Sequence, residues 1–338
     1  MTRNKPKYDL PFLKIRPLKT RSLTISTLLP PSVTHQPVLL KEVVTHLNIQ
    51  PEGRYLDCTF GRGGHSRAIL EQLAERGQLL ALDQDPEAIE AGQKIAQQDS
   101  RFQIVHAAFS QLEQVLAQFP SPQPIMGILL DLGVSSPQLD NPDRGFSFRH
   151  QGPLDMRMNT SQGPTLQHWL NTVSLAELIT VLKDYGEEPH ARRIAKAIIM
   201  TRQQTPLTTT VQLADIVAQA HPAWPAHHHP ATQTFQALRI FINRELEQLQ
   251  QILPQIPKLL APQGRLLCIS FHSLEDRIVK RFIRQAAQGD HYPAHIPIPA
   301  AALRPTLRKI TRPIYPNDEE IAANPRARSA VLRVAERI

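Results

Sequence analysis

An α/β fold, a parallel sheet interrupted by an all-helical insertion at about residues 141–233, is predicted by three observations. From residue 35 to Leu132, short apolar runs alternate with amphipathic segments; parallel neighbours need such helical crossovers, right-handed where they join strands of one sheet. Over 141–233 the rhythm stops. From 234 onward it resumes with a long amphipathic pattern and two more apolar runs.

Each element has its own signal. Arg54–Asp57 reads as the first strand, and Ser66–Arg76 as a helix with Ile69, Leu70 and Leu73 on one side. Gln78–Asp83 is the second strand, Pro86–Gln97 the second helix, and Phe102–Phe109 the third strand. Leu112–Phe119 is helical. Ile125–Leu132 is a fourth strand, apolar nearly throughout, as a strand covered on both faces should be. Residues 141–165, rich in Gly, Pro, Asp, Asn and Arg, form a long loop. Ser174, with Glu177 three residues later, starts a helix that Gly186 ends. Glu188–Gln203 and Thr210–Ala220 are further helices, followed by a Pro/His linker, His221–Pro230. The triplet His227-His228-His229 is read as loop, because adjacent residues rarely converge on one ion, and no metal is expected. Phe235, Leu238, Ile242, Leu246, Leu249 and Leu253 recur at helical spacing and predict one long helix. After a turn at Pro262-Gln263-Gly264, Arg265–Ser270 and Ser329–Val334 complete the sheet. Domain organisation follows: an extension (1–34), a core (35–140 and 234–338), and a loop plus helical insertion (141–233) expected to recognise substrate.

Bulk properties narrow the classes. The 338 residues are 41% hydrophobic and 20% charged, enough to bury a sizeable core. Cys58 and Cys268 sit in apolar runs and are expected as buried, reduced thiols. No run approaches the length of a membrane span, and no signal-peptide pattern opens the chain, so a cytoplasmic location is expected. Residues 1–34 hold seven Lys/Arg and one acid, hence +6 of the net +8. That tail is read as a disordered extension; an RNA-binding arm, a transit peptide and an upstream start are the alternatives. Nucleic-acid contact by the body must therefore come from local patches.

Three clusters carry chemistry. The first strand runs into Asp57-Cys58-Thr59-Phe60-Gly61-Arg62-Gly63-Gly64-His65-Ser66, a glycine-rich turn where backbone can approach a ligand at a helix start. Its spacing does not match the G-x-G-x-x-G of dinucleotide sites, which argues against a nicotinamide-dependent dehydrogenase. Asp83 ends the second strand, where a carboxylate accepts from both hydroxyls of an adenosyl ribose. Phe109, after the third strand, is read either as packing on an adenine face or as a core residue. The fourth strand ends Leu130-Asp131-Leu132-Gly133-Val134-Ser135-Ser136-Pro137-Gln138. An acid there, before a small-residue loop, suits transfer to an exocyclic amine. The amine lone pair is delocalised into the base, and an acceptor on its protons makes it more available and stabilises the charge that grows during attack.

These blocks, with Arg144-Gly145-Phe146-Ser147-Phe148, Gly152–Met158, Thr234–Ile240, Ser270–Arg277 and Asn324–Ser329, resemble the RsmH (MraW) family of bacterial methyltransferases from about His35 to the C-terminus. The resemblance implies a class I (Rossmann-like) S-adenosylmethionine methyltransferase fold. It implies methylation of N4 of a cytosine in 16S rRNA, at the decoding centre near the P site of the small ribosomal subunit. It also implies S-adenosyl-L-methionine as cofactor, held by Gly63, Gly64, His65, Asp83, Phe109, Asp131 and Gln138. Asp131 keeps two roles open, orienting the cofactor and accepting from the target amine. Ser135-Ser136-Pro137 stands where DNA amino-methyltransferases carry Asn/Asp-Pro-Pro-Tyr, with no aromatic after Pro137 to stack a flipped base. Phe146, Phe148 or the Phe271-His272 pair are candidates for that stacking.

His272 is read either as a proton relay or as an ordering residue. Arg144, Arg149 and Arg157 are expected either to hold RNA phosphates or to order the loop with its own acids. Arg192, Arg193 and Lys196, and Lys280, Arg281 and Arg284, form basic helix faces, either solvated or on RNA. No obligate protein partner and no membrane contact are inferred. A non-catalytic RNA-binding factor and a DNA cytosine-N4 methyltransferase are the competing readings. The intact loop residues weigh against the first; the helical insertion and the missing signature weigh against the second.

Overall fold

The computed structural model describes residues 37–222, 229–290 and 303–338. The basic segment 1–34 and two residues of the histidine triplet, His227 and His228, lie outside them. Among the described residues seven strands form one sheet: β1 (Arg54–Asp57), β2 (Gln78–Asp83), β3 (Phe102–His106), β4 (Ile125–Asp131), β5 (Leu260–Ser270), β6 (Leu307–Lys309) and β7 (Val331–Arg337). Their order is β3-β2-β1-β4-β5-β7-β6. β1 to β5 are parallel, β7 returns antiparallel to β5, and β6 pairs antiparallel with β7. The chain builds outward from β1 to β3, then crosses back to lay β4 on the other side of β1. That reversal opens a crevice at the carboxyl ends of the strands. Three strands end there in aspartate: Asp57, Asp83 and Asp131.

Helices α1 (Leu40–Leu47), α2 (Gly64–Leu70), α3 (Pro86–Ala96), α4 (Leu112–Gln118) and α5 (Ser136–Asp140) precede the insertion. The insertion carries α6 (Leu166–Thr172), α7 (Leu175–Gly186), α8 (Ala191–Gln204) and α9 (Thr210–Ala220), and leads into α10 (Ala231–Asn243). After it come α11 (Glu245–Ile252), α12 (Ile256–Leu259), α13 (Ser273–Gln288) and α14 (Asp318–Ala323).

Strand side chains point alternately to two apolar layers. Tyr55, Leu79, Ala81, Leu129, Leu267 and Ile269 pack with residues of α1, α2 and α3 on one face. Leu56, Leu80, Leu82, Ile128, Leu130, Leu266 and Cys268 pack with α4, α11, α12 and α13 on the other. Covering on both faces is why β4 reads as a nearly continuous apolar run.

A third apolar core belongs to the helical body: Leu170, Leu178, Leu182, Ile194, Leu213 and Val217 close around the loop residues Phe146, Leu154, Met156 and Met158. Phe235, Ala237 and Leu238 of α10 join this core, so the helical body runs past the boundary expected at 233. Close approach explains it: a Cβ on Gly186 would lie 2.8 Å from the Gln233 carbonyl, so α7 meets α10 at a residue without one.

The structure departs from the pattern in three further places. The expected single helix over 235–253 is two, because Arg244 takes a left-handed conformation (φ 51°) between α10 and α11. The Asn243 amide holds the turn: its Oδ1 accepts from Met158 N–H (2.7 Å) and its Nδ2 donates to Met156 O (2.8 Å) and Arg239 O (2.9 Å). The Pro262–Gly264 turn lies within β5, as a bulge at Gln263 (φ 65°) where pairing with β4 steps from Ile125↔Leu260 to Gly127↔Arg265. β3 stops at His106, because Phe109–Gln111 already turns as a 3-10 helix. Among the described residues, no helix is long and apolar enough to cross a membrane.

Candidate active site

The glycine turn after β1 and the acid ending β2 are tied together. Gly61 N–H donates to Asp83 Oδ2 (2.8 Å) and Asp85 N–H donates to Asp83 Oδ1 (2.9 Å). Burial lifts the Asp83 carboxyl to about 6, because the neighbouring Asp85 and Asp57 charges add to desolvation and the two N–H groups offset only part of it. Gly61 has φ +57°, and a Cβ there would meet only the Ser135 Cβ, at 3.9 Å, so this glycine faces open space. Gly63 and Gly64 differ: a Cβ would lie 2.6 Å from the Phe60 ring at Gly63 and 2.1 Å from Pro37 at Gly64. Packing alone demands glycine at those two positions. Of the three glycines Gly61 is the one with open space where a Cβ would stand, and nothing in the order of glycines along the chain distinguishes it from the other two.

Beneath the turn, Asp57 is buried and accepts from Ser66 Oγ (2.6 Å) and Thr59 N–H (3.2 Å). Burial raises its carboxyl. Thr59 Oγ1 accepts from Asp131 N–H (2.6 Å), which locks the end of β4 to the turn after β1. Asp131 Oδ2 lies 3.5 Å from His65 Nε2, and its Oδ1 is buried with no hydrogen-bond partner. Both ring nitrogens of His65 are buried and lack hydrogen bonds as well.

The loop after β4 turns through Gly133 (φ +91°) into α5. Gln138 is held at both ends: Oε1 accepts from Ser135 N–H (2.9 Å), and Nε2 donates to Asp85 Oδ2 (2.7 Å). Asp85 is the hub here. It also accepts from Glu87 N–H (3.0 Å), as an N-cap of α3, and from Arg144 Nη1 (2.8 Å). Asp85 before Pro86 is a recognisable cap signal in the sequence; its tertiary partners are not.

The arginines of the 141–158 loop divide. Arg144 is 6% exposed and points inward to Asp85, with Nη2 donating to Arg157 O and Met158 O (3.1 Å each). It is a loop-ordering residue and not available to a phosphate. Arg157 grips Asp155 through Nε and Nη2 (2.8 Å each), again ordering the loop. Arg149 is exposed, as are Arg192, Arg193 and Lys196 on α8 and Lys280, Arg281 and Arg284 on α13.

His272 also turns inward. Both its ring nitrogens are buried, and Nε2 lies 3.0 Å from Glu275 Oε1. Glu275 Oε2 accepts from Phe271 N–H (2.8 Å). Burial opposes the charge on Glu275, but His272, Arg239 and that N–H together hold its carboxyl below the ordinary value. Arg239, itself paired with Glu245 (2.9 Å through both Nε and Nη2), lies beside Gly133. This geometry fits the ordering role for His272 through Nε2, while its Nδ1 is buried without a hydrogen-bond partner. Of the stacking candidates, Phe146 is buried in the helical core, and Phe148 packs on Phe235 and His229 with ring centroids 4.8 and 4.6 Å apart. Phe271 stands beside the loop after β4, 3.7 Å from the position of a Gly133 Cβ. Phe109 is half-buried at the start of its 3-10 turn, after β3 and beside β2, where Ala107 N–H donates to Asp83 O (3.0 Å). Cys58 and Cys268 are buried and free, and burial pushes both thiols up. Among the described residues, no group of three or more His, Cys, Asp or Glu is placed to hold a metal ion.

Five parallel strands reversing at β1/β4, an antiparallel β7 beside β5, and acids closing β2 and β4 make up the class I (Rossmann-like) methyltransferase fold. The model of the MraW methylase family matches residues 32–338. The chain belongs to that family. It is 52% identical over 309 residues to the ribosomal RNA small subunit methyltransferase H of Idiomarina loihiensis, covering 91% of this chain and 98% of that one. The protein of the same name from Methylobacillus flagellatus is 56% identical over 305 residues, covering 90% and 94%. A solved rRNA methylase from Streptococcus thermophilus overlaps 88% of this chain and 93% of its own, at 9% identity and a TM-score of 0.39.

Proposed function

We propose that this protein transfers a methyl group from S-adenosyl-L-methionine to the exocyclic N4 amine of a cytosine in 16S rRNA, at the decoding centre near the P site of the small subunit. Asp131 carries the reading. It ends β4 at the crevice, its Oδ1 is buried without a partner, and an amine proton is what that oxygen lacks. Buried polar atoms in folded proteins are nearly always paired, so an orphan at a crevice marks the place of a ligand group. The relatives named as ribosomal RNA small subunit methyltransferases support the choice of RNA.

The residues fit the cofactor. Asp83 offers carboxylate oxygens to the ribose hydroxyls, Gly61 leaves backbone room beside it, and Phe109 lies after the neighbouring strand. When bound, the sulfonium supplies a methyl already activated for attack. What remains for the chain is to align the amine, accept its protons at Asp131 and keep water out, and alignment alone is worth about 7–11 kcal/mol of the barrier. The 135–137 segment sets the depth of the base, since Gln138 fixes the Ser135 backbone. Arg149, Arg192, Arg193, Lys280 and Arg281 are the exposed cations assigned to RNA phosphates.

Incubation with radiolabelled donor and small-subunit RNA, followed by nucleoside analysis, tests the proposal. Label in N4-methylcytidine is expected. Label confined to duplex DNA, or cofactor binding with no transfer to any RNA, overturns it.

A further inference from the structure

Three orphaned polar atoms of the site converge on one contact. Asp131 Oδ1, His65 Nδ1 and His65 Nε2 are all buried and without hydrogen bonds, and Nε2 lies 3.5 Å from Asp131 Oδ2. His65 is 6% exposed, whereas the Asp131 side chain is 24% exposed. One partner of the pair is therefore sealed in, and the other reaches the crevice. A second acid stands behind: Asp57, fixed by Ser66 and Thr59, interacts with the charge of both His65 and Asp131. Asp83 is the next carboxylate in the row. Thr59 sets the spacing, bonding Asp131 through its hydroxyl and Asp57 through its N–H. A buried imidazole 3.5 Å from one carboxylate and within electrostatic reach of a second is suited to hold a proton, and two unpaired ring nitrogens leave it free to take one up.

We infer that His65 and Asp131 act as one unit that receives the proton released from the methylated amine, with His65 holding it while the product leaves. This rests on the proposed transfer to a cytosine amine. The balance is simple. The amine nitrogen forms a bond to the methyl carbon while the sulfur–methyl bond breaks, and the sulfur keeps that electron pair. The nitrogen becomes cationic and carries two protons. Asp131 accepts one and passes it to His65 Nε2, so the product leaves as a neutral methylamine; the proton then returns through the partly exposed Asp131 to solvent, and the pair is ready for the next turnover. Asp57 stabilises the resulting imidazolium. His65 thus becomes a participant in proton movement through its side chain, beyond any part its backbone takes in holding cofactor.

Single-turnover methyl transfer to small-subunit RNA across a range of pH, with cofactor affinity by calorimetry, tests the inference. The variants are His65→Gln, which keeps an amide near the Nε2 position, His65→Asn, and Asp131→Asn. Both His65 variants are expected to bind cofactor within a few-fold of wild type. With cofactor kept saturating at each pH, so that Asp83 does not enter, their transfer should be slower by about 100-fold, the usual scale for losing a general base, and should lack the acid-side fall of the wild-type pH profile. Asp131→Asn should lose transfer further without changing cofactor affinity more than about ten-fold. Wild-type rates and profile in the His65 variants overturn the inference, as does loss of cofactor affinity proportional to loss of rate, which assigns His65 to cofactor holding alone. Should a His65 variant not fold, Asp131→Asn decides: a wild-type profile in it overturns the inference. Failure of the wild-type protein to methylate cytosine in the same assay is the separate result that removes the underlying reading.

Discussion

At the scale of single residues, charge and burial divide the work. Asp83 ionises late, near 6, because it is desolvated beside Asp85 and Asp57. Its charged form is disfavoured on folding, so its contribution to stability is fullest below the ordinary carboxylate range and is lost as pH rises through about 6. Ribose hydroxyls need the charged form, so cofactor affinity has the opposite sign: strong above 6 and declining as pH falls through it. Calorimetry on either side of that value should show the decline, and Asp83→Asn should both weaken binding, by about 10- to 100-fold, and flatten the profile. Arg144 and Asp85 form the other residue-scale test. Both are buried, and removing one leaves the other charge uncompensated, so Arg144→Ala should cost about 3–5 kcal/mol in urea unfolding. Arg149→Ala, at an exposed position, should cost almost nothing. The acids Asp83 and Asp131 were legible because strand-end position is itself informative. The inward turn of Arg144 was not, because a cation in a polar loop reads the same whether it faces a phosphate or a buried carboxylate. His272 was ambiguous for the same reason.

At the scale of elements, the strands were the most legible part. β1, β2, β4 and β5 are covered on both faces, which favours apolar residues at successive positions in their centres, as in Leu79–Leu82, Ile128–Leu130 and Leu266–Ile269. The divided helix at Arg244 left no trace, since left-handed turns usually announce themselves by glycine or asparagine and here an arginine adopts the conformation. β6 escaped too, being three residues long and paired with β7 alone. Among the helices, α8 and α13 present exposed cations toward solvent, and the proposal gives them phosphates. Changing Arg192 and Arg193 together, or Lys280 and Arg281 together, to alanine should raise the KM for RNA. The salt dependence of binding should fall by about one counterion for each phosphate no longer neutralised. Cofactor affinity should stay as it was. Unchanged salt dependence would return these faces to plain solvation.

At the scale of the whole molecule, a sheet with a switch point positions three strand-end acids, and a helical body with its own core stands beside them. The two parts meet through the 141–158 loop, which follows β4, is pinned to the sheet side by Arg144 on Asp85, and buries Met156 and Met158 in the helical core. Insertion of that body was legible as a break in rhythm; its junction was not, because α10 carries an apolar face that suits either layer. The central claim is that this assembly methylates one cytosine amine in small-subunit rRNA. Mass mapping of that RNA from cells with and without the gene tests it most directly. One cytosine near the decoding centre should lack its N4-methyl in the deletion and regain it on complementation by wild-type protein but not by Asp131→Ala; identical modification maps in both strains would contradict the account.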